Sequence, residues 1–487
     1  MISLEEVKEL AKGYERVPIA KEILSDIKTP MQVLRILKKK SRHCYILESV
    51  ENQERLGRYT FLGYDPKLEI TCVNGQAKIK DASGKEEIKE LSHPRDLIRK
   101  ILKEYSSPKV EGLPSFTGGL VGYFSYDYLK YAEPSLNLSA KDEEGFKDVD
   151  LMLFDKVIAF DNIRQKIVII VNIKTKNIEN EYKKGMEDID QTIDLIRYGE
   201  MEEIVPGHLT SPVRKLFDEK AYCRMVEKAK NYIYEGDIFQ VVLSNRLDAD
   251  YEGSLLNCYR VLRSINPSPY MFYFSSDDIE LAGASPETLV KLEDGTLRTY
   301  PLAGTRPRGK NDQEDLKLEK DLLGDEKELS EHNMLVDLGR NDLGRISQFG
   351  SVHVEKYMNI VRYSHVMHIA SNVVGRIRED KDAMDAVDSI LPAGTLSGAP
   401  KLRAMEIINE LEDNKRGVYG GAIGYIDFSG NLDTCIAIRL AFKKNGKVFV
   451  RSGAGIVADS VPEKEYQECI NKAAAVVRAI EAGGEEL

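Results

Sequence analysis

From about Val33 to Ile173 the pattern of apolar and polar positions is mostly that of strands. The clearest runs are Tyr45-Ile46-Leu47, Lys67-Leu68-Glu69-Ile70-Thr71-Cys72-Val73 and Lys166-Ile167-Val168-Ile169-Ile170-Val171, with Asn-Gly or Ser-Gly pairs between strands. Val73-Asn74-Gly75-Gln76 predicts a two-residue hairpin, because Asn-Gly accepts the positive φ angles such a turn needs. Residues 181–200 carry the periodicity of an amphipathic helix, and the Pro-punctuated stretch Val205-Pro206-Gly207 to Ser211-Pro212 predicts an exposed linker. Beyond Phe217, helices are expected over 218–235, 326–338, 400–413 and 463–482, with short hairpins between them. This lacks the regular βαβα rhythm of a parallel sheet and predicts an α+β fold with antiparallel sheets. The chain then divides into an N-terminal region over 10–175, a helix and linker over 176–214, and a C-terminal region over 215–482. No internal repeat is evident.

A chain of 487 residues that is 42% hydrophobic can bury one large core or two ordinary ones. Its net charge of −11 argues against a nucleic-acid surface, and Lys38-Lys39-Lys40 fits a solvated helix end. No apolar run approaches the roughly 20 residues of a membrane span, and the start Met1-Ile2-Ser3-Leu4-Glu5-Glu6 is not that of a signal peptide. The six cysteines are scattered without C-x-x-C spacing, which suits free thiols in a reducing cytoplasm. Tryptophan is absent.

Two glycine motifs invite nucleotide readings that do not hold. Gly304-Thr305-Arg306-Pro307-Arg308-Gly309-Lys310 fits seven positions of a P-loop, but Asn311 replaces the Ser or Thr that would hold Mg²⁺. Gly453-Ala454-Gly455-Ile456-Val457-Ala458 fits G-x-G-x-x-A, but the chain ends after one further helix, so no βαβ unit can form. His365 and His368 lack the H-E-x-x-H context of a zinc site.

Paired carboxylates carry more chemistry. Glu328 and Glu331 share one helix face, and Glu465 and Glu468 share another with Lys472 a turn later. The opposite face of the second helix holds Tyr466, Cys469, Ile470, Ala473, Val477 and Ile480, a core stripe. Each pair alone is also what a wet helix face carries. If both faces meet in a cleft, four carboxylates call for a cation, and Mg²⁺ prefers such oxygens while leaving coordination sites for an anionic substrate. Arg439, in the apolar run Thr434-Cys435-Ile436-Ala437-Ile438-Arg439-Leu440, is costly to bury unless a carboxylate meets it. Gly453 and Gly455 let a ligand approach the backbone, or else mark a turn or bulge.

With these residues in place, nearly the whole chain resembles the chorismate-utilising enzymes and, within them, the large subunits of anthranilate synthases. The segments that carry the resemblance are Pro301-Leu302-Ala303-Gly304-Thr305-Arg306-Pro307-Arg308-Gly309, Met334 to Leu338 with Arg340-Asn341-Asp342, Leu396-Ser397-Gly398-Ala399-Pro400-Lys401, Tyr419 to Tyr425, and Gly453 to Lys472. The resemblance implies two stacked antiparallel β-sheets flanked by helices, with the active site in the cleft between them. It implies Mg²⁺ on Glu331 and Glu468, with Glu328 and Glu465 beside it as water-mediated or acid/base partners. The metal would hold the ring carboxylate of chorismate, helped by Gly304, Thr305 and the backbone near Thr395. Arg439, Tyr419, Gly453, Gly455 and Lys472 would hold the enolpyruvyl carboxylate and its surroundings.

The implied reaction has two halves. Ammonia adds to the ring as the hydroxyl departs, with Glu287 of Ser285-Pro286-Glu287 as general acid. Pyruvate then leaves and the ring aromatises, with His368 as the proton-transfer group or polariser and Thr305 among the catalytic residues. Relatives that add water carry a lysine base where this chain has Gln240, and aminodeoxychorismate synthases carry a reactive lysine where it has Ala303; both differences favour anthranilate. An enzyme that stops at aminodeoxyisochorismate stays open as an alternative, as does a non-catalytic tryptophan sensor on the same fold. No cysteine lies in a G-x-C-x-G elbow, so ammonia is expected from a separate glutamine amidotransferase subunit. The resemblance also implies a tryptophan feedback pocket with Glu48 on the amino group, Ser49 beside it, and Pro269, Tyr270, Met271 and Phe272 along the indole. Pro267 and Pro269 could instead simply shape a turn.

Overall fold

A computed structural model describes residues 2–49, 57–363 and 366–484. Arg55, Leu56 and His365 lie outside the described residues. The described strands form two antiparallel sheets of 13 and 12 strands, and each is built from both ends of the chain. In the first, Arg16–Leu24, Lys166–Lys174, Lys156–Asp161, Tyr59–Tyr64 and Cys44–Glu48 run on into Tyr270–Ser275, Glu280–Ser285, Leu440–Lys444, Lys447–Ile456 and Gln240–Glu252. The seam is the pairing of Glu48 with Met271. In the second sheet the seam lies between Gly119–Phe124 and Ala422–Asp427. Apolar side chains of both sheets, such as Phe61, Phe272 and Phe442 with Leu151, Val290 and Ile423, fill one core between them. The outer face of the first sheet packs on helices that include Ile178–Tyr198, Leu256–Ile265 and Pro462–Ala482. The expected α+β architecture of stacked antiparallel sheets is therefore present.

The Asn74-Gly75 hairpin forms with Val73 paired to Gln76. The expected helices occur as Ile178–Tyr198, Glu219–Tyr234, Glu326–Gly344, Lys401–Glu412 and Pro462–Ala482. The last buries Tyr466, Cys469, Ala473, Val476, Ala479 and Ile480, so its core stripe turns slightly from the expected one. Two helices of 11 residues each, Pro30–Lys40 and Pro94–Glu104, and the short Leu129–Ala132 interrupt the strand-rich N-terminal region; the two longer ones have proline in their first turn, where no backbone donor is needed. The expected linker differs too. His208–Leu209 and Arg214–Lys215 pair with the long strand Gln240–Glu252, covering an edge that would otherwise leave its backbone groups unpaired.

Two crossings between the sheets position the rest. The chain passes from the first sheet to the second at Ser285–Thr288, and back from the second to the first between Ile436 and Leu440. They run side by side: the Ile436 amide donates to the Glu287 carbonyl at 3.0 Å, and the Ala284 amide donates to the Arg439 carbonyl at 3.0 Å. Arg439 thus lies in a crossing with a left-handed φ of 53°, and not within a strand as its apolar neighbours suggest.

Beneath this crossing lies a buried charge cluster. Glu412 accepts from the Ser244 amide at 2.7 Å, from Arg416 Nη2 at 2.6 Å and from Arg451 Nη2 at 2.9 Å. Burial alone would raise the Glu412 pKa; the two guanidiniums reverse this and hold it low. Glu412→Gln leaves both arginines in the core without a counter-charge. It should lower the free energy of unfolding in urea by about 3–5 kcal/mol, and a loss below about 1 kcal/mol would show the cluster to be incidental.

Candidate active site

A cleft of about 710 Å³ opens where the sheets part at the two crossings. Glu287, Gly304, Thr305, Glu328, Glu331, His368, Thr395, Tyr419, Arg439, Gly453, Gly455, Glu465, Glu468 and Lys472 all line it. Thus every residue expected in the catalytic, substrate and metal sets reaches one cavity. Of the tryptophan set, only Pro269 does.

One wall is acidic. Helix Glu326–Gly344 presents Glu328 and Glu331, and helix Pro462–Ala482 presents Glu465 and Glu468. Burial and then the neighbouring Glu328 charge raise the Glu331 pKa. Burial also raises that of Glu465, with a contribution from Glu468. Glu468 is paired with Lys472 at 2.6 Å and Glu328 with Arg306 at 3.5 Å, whereas Glu331 has no hydrogen bond or ion pair among the described residues. Among those residues, the only three metal-donor side chains that converge within 4.8 Å are His43, Glu69 and Asp277. His43 pairs with Asp277 at 2.9 Å, and Lys80 and Lys147 complete that cluster as an ion-pair network. The donor set of the cleft, carboxylates facing one another with Glu331 unpaired, nevertheless suits a hard divalent cation.

The same cleft holds the groups suited to proton transfer. Burial pushes the Glu287 carboxyl up to about 8, and the Thr395 hydroxyl donates to it at 3.1 Å. His368 Nδ1 lies 2.9 Å from the Gly304 carbonyl and 3.1 Å from Thr305 Oγ1. Donation to the carbonyl puts the proton on Nδ1 and leaves Nε2 as the free nitrogen. Burial lowers the His368 pKa, with the Arg439 charge adding to the effect, so the ring is neutral near pH 7. Gly304 has φ 67°, and a Cβ there would meet Leu322 at 2.9 Å. A Cβ on Gly455 would lie 2.6 Å from the Gln240 amide nitrogen, so only glycine leaves that side chain its place in the cleft wall.

Arg439 has no carboxylate partner among the described residues; its Nη1 donates to the Lys472 carbonyl at 3.3 Å. It therefore keeps its charge for a ligand, although burial lowers its pKa. The argument made for Arg439 from sequence, that a guanidinium in an apolar strand must meet a carboxylate, fits Arg451 in Lys447–Ile456 instead. Sequence reasoning also passed over Lys327 and Ser452, which line the cleft. Lys327 was concealed by its place between the paired glutamates, whereas Ser452 adjoins the glycine motif.

The tryptophan set divides between two faces of one strand. Glu48 and Met271 stand opposite each other in register, so their side chains share a face. There Glu48 already binds Arg263, through Oε2 at 3.0 Å and through Oε1, and Tyr259 at 2.5 Å. Tyr270 points the other way and donates to Asp433 at 2.9 Å. Ser49 follows Glu48 at the edge of the described segment.

The model of the chorismate binding enzymes matches residues 42–478. The chain is 47% identical over 497 aligned residues to anthranilate synthase component 1 of Acetivibrio thermocellus, covering 99% of each chain. It is 45% identical over 490 to the protein of that name from Aquifex aeolicus, covering 99% of this chain and 98% of that one. Among solved structures, anthranilate synthase component I of Streptococcus pneumoniae superposes with a TM-score of 0.78 at 36% identity, covering 94% of this chain and 99% of that chain. The menaquinone-specific isochorismate synthase of Escherichia coli shares the fold, with a TM-score of 0.70 at 20% identity over 98% of each chain.

The Glu287 carboxyl can donate a proton only while protonated, a state that persists up to about pH 8. Turnover that uses it as an acid should hold on the acid side and fall as pH rises through about 8. Glu287→Gln should remove that limb along with nearly all activity. An unchanged alkaline limb in an active Glu287→Gln enzyme would show that another group sets it.

Proposed function

The chain belongs to the family of chorismate binding enzymes, and from that premise we propose that it acts as an anthranilate synthase component 1, making anthranilate and pyruvate from chorismate and ammonia. The observation that carries the reading is the pairing, in one cleft, of an acid protonated to about pH 8 with a neutral histidine that keeps one nitrogen free. Glu287 gives its proton to the departing ring hydroxyl as the ammonia nitrogen bonds to the ring. Thr395 holds the acid in place through its hydrogen bond. His368, fixed at Nδ1 by the Gly304 carbonyl and Thr305, offers Nε2 for the proton transfer of the elimination step. Arg439 and Lys472, with the backbone of Gly453 and Gly455, hold a carboxylate, because they bring positive charge and close backbone approach to one end of the cleft.

Glu331 and Glu468 would hold Mg²⁺, with Glu328 and Glu465 beside them, and the ion would supply charge neutralisation for a substrate carboxylate. Gln240 lines the cleft where a basic side chain would be needed to activate water, whereas ammonia brings its own lone pair. No cysteine has the glutaminase elbow, and five of the six are buried, so ammonia comes from a glutamine amidotransferase partner. No helix among the described residues is long and apolar enough to cross a membrane, and we place the chain in the cytoplasm with that partner.

The test is to incubate the purified chain with chorismate, Mg²⁺ and ammonium and to identify the product by mass and fluorescence. Anthranilate should form with ammonium and not with glutamine alone. Glu331→Gln should lower the rate by at least about a hundredfold while leaving the fold intact. An amino-dihydro acid that retains its enolpyruvyl group would identify the enzyme that stops at aminodeoxyisochorismate, and glutamine-driven turnover would refute the partner.

Feedback by tryptophan is the second regulatory reading. It is supported by the family resemblance and by the buried Glu48 carboxylate opposite Met271, whose partners in the structure are Arg263 and Tyr259. Tryptophan should weaken chorismate binding and chorismate should weaken tryptophan binding by the same factor, about 5–150-fold for an ordinary coupling. Ser49→Ala or Met271→Thr should relieve the inhibition and keep most of the uninhibited rate. Calorimetry that detects no binding at millimolar tryptophan would end this reading.

A further inference from the structure

Behind Glu287 the cleft wall adjoins a second cavity of about 40 Å³. Glu287 and Thr395 line both spaces. Asp342, from the last turn of helix Glu326–Gly344, lines this second cavity as well. Its Oδ2 accepts from Lys401 Nζ at 2.8 Å, and the same nitrogen donates to the Ile390 carbonyl at 3.0 Å. The two side chains keep 11% and 12% of their surface exposed. Both residues lie in segments that the sequence singled out, Arg340-Asn341-Asp342 and Leu396 to Lys401, and that the proposed chemistry leaves unused.

A cavity of this size has room for one to three waters, since each needs about 10–15 Å³, and two carboxyls and a threonine hydroxyl provide hydrogen-bond partners. The first half-reaction creates a need for such a space. As the carbon–nitrogen bond forms, the carbon–oxygen bond breaks, and the hydroxyl leaves with the Glu287 proton as water. Glu287 is then a carboxylate, and the new water lies beneath an intermediate that fills the cleft. The proton that the new ammonium sheds balances the reaction overall, but it is released on the cleft side.

We propose that the rear cavity receives this leaving water and that Asp342, held by Lys401, is the outer end of the proton path that recharges Glu287. The inference rests on the reading of Glu287 as general acid. Asp342 is a positioning and relay residue that does not touch substrate. Burial raises its pKa above the ordinary aspartate value, against the opposing charges of Lys401 and Arg345. The second half-reaction, loss of pyruvate from the intermediate, releases no water from the ring and makes no use of this path.

The two halves can be measured apart in the full chain with Mg²⁺. Asp342→Asn keeps the shape of the pair and removes the titratable carboxyl. It should slow chorismate consumption with ammonium at least about tenfold, with KM for chorismate unchanged. Conversion of supplied aminodeoxyisochorismate to anthranilate should stay at the parental rate. Gly339→Ala adds a methyl at the cavity edge, 3.2 Å from Thr299, in a helix that alanine favours. It should slow the first half alone without lowering the thermal midpoint. A parental first half in Asp342→Asn would overturn the relay, as would equal losses in both halves, the mark of a merely structural pair. Glu287→Gln separates the two levels: if it keeps a normal first half, the acid reading itself falls.

Discussion

Two guanidiniums and one carboxylate, each with about 1% of its side chain exposed, lie together below the cleft. Neither sign of charge would be stable there without the other, because a lone ion in such surroundings faces a desolvation penalty of several kcal/mol. Together they leave donors directed outward. Arg416 binds the carbonyls of Leu396 at 2.6 Å and Val242 at 2.7 Å, and Arg451 binds that of Lys415 at 2.8 Å. Leu396 adjoins Thr395, which holds Glu287, and Val242 lines the cleft. Backbone from three distant parts of the chain is therefore tied to Glu412 and its arginines. The cluster also carries a net positive charge, which favours an anionic ligand above it.

The crossings between the sheets explain why the chemistry lies where it does. Within each sheet the backbone donors and acceptors are spent on neighbouring strands, and alternate side chains enter an apolar core. At Ser285–Thr288 and Ile436–Leu440 the chain changes sheets, so polar side chains escape that pattern. Glu287 and Arg439 both sit there. The two roles then separate by environment. Arg439 brings a guanidinium with no carboxylate partner among the described residues, whereas burial holds both Glu287 and His368 neutral near pH 7. Neutral groups of this kind stand ready to give or take a proton near pH 7.

The carboxylate pairs, the helices that bear them and the strand-rich N-terminal half were legible because each depends on local periodicity. Glu328 with Glu331 and Glu465 with Glu468 fall on one helix face by spacing alone. Helix Pro30–Lys40 also had a local signal, since Thr29 and Gln32 form a capping box, but the strand-like runs on either side masked it. What sequence could not supply was long-range pairing. That Arg451 meets a carboxylate depends on Glu412 approaching from helix Lys401–Glu412. That Glu48 is held by Arg263 depends on helix Leu256–Ile265 packing on the outer face of the first sheet. Neither contact has a periodic signature in the chain.

The same long-range pairing brings the expected effector residues near the catalytic ones without mixing them. Strand Tyr270–Ser275 lies at the seam between the two ends of the chain, with Met271 and Glu48 facing the outer helices. On its inner face, one residue earlier, Tyr270 lies 3.0 Å from the hydroxyl of Thr288, the neighbour of Glu287 in the crossing. Pro269, one residue before that, lines the cleft itself. A ligand that drew Glu48 from Arg263 and wedged beside Met271 would act on a strand paired along its length with Glu280–Ser285, which leads directly into the acid. Packed sheets do not bend freely, so a displacement on the outer face must appear on the inner one or be resisted. The distance from Met271 to Glu287 is thus one strand pairing, to Ala284, and three residues, short enough for coupling without any moving domain.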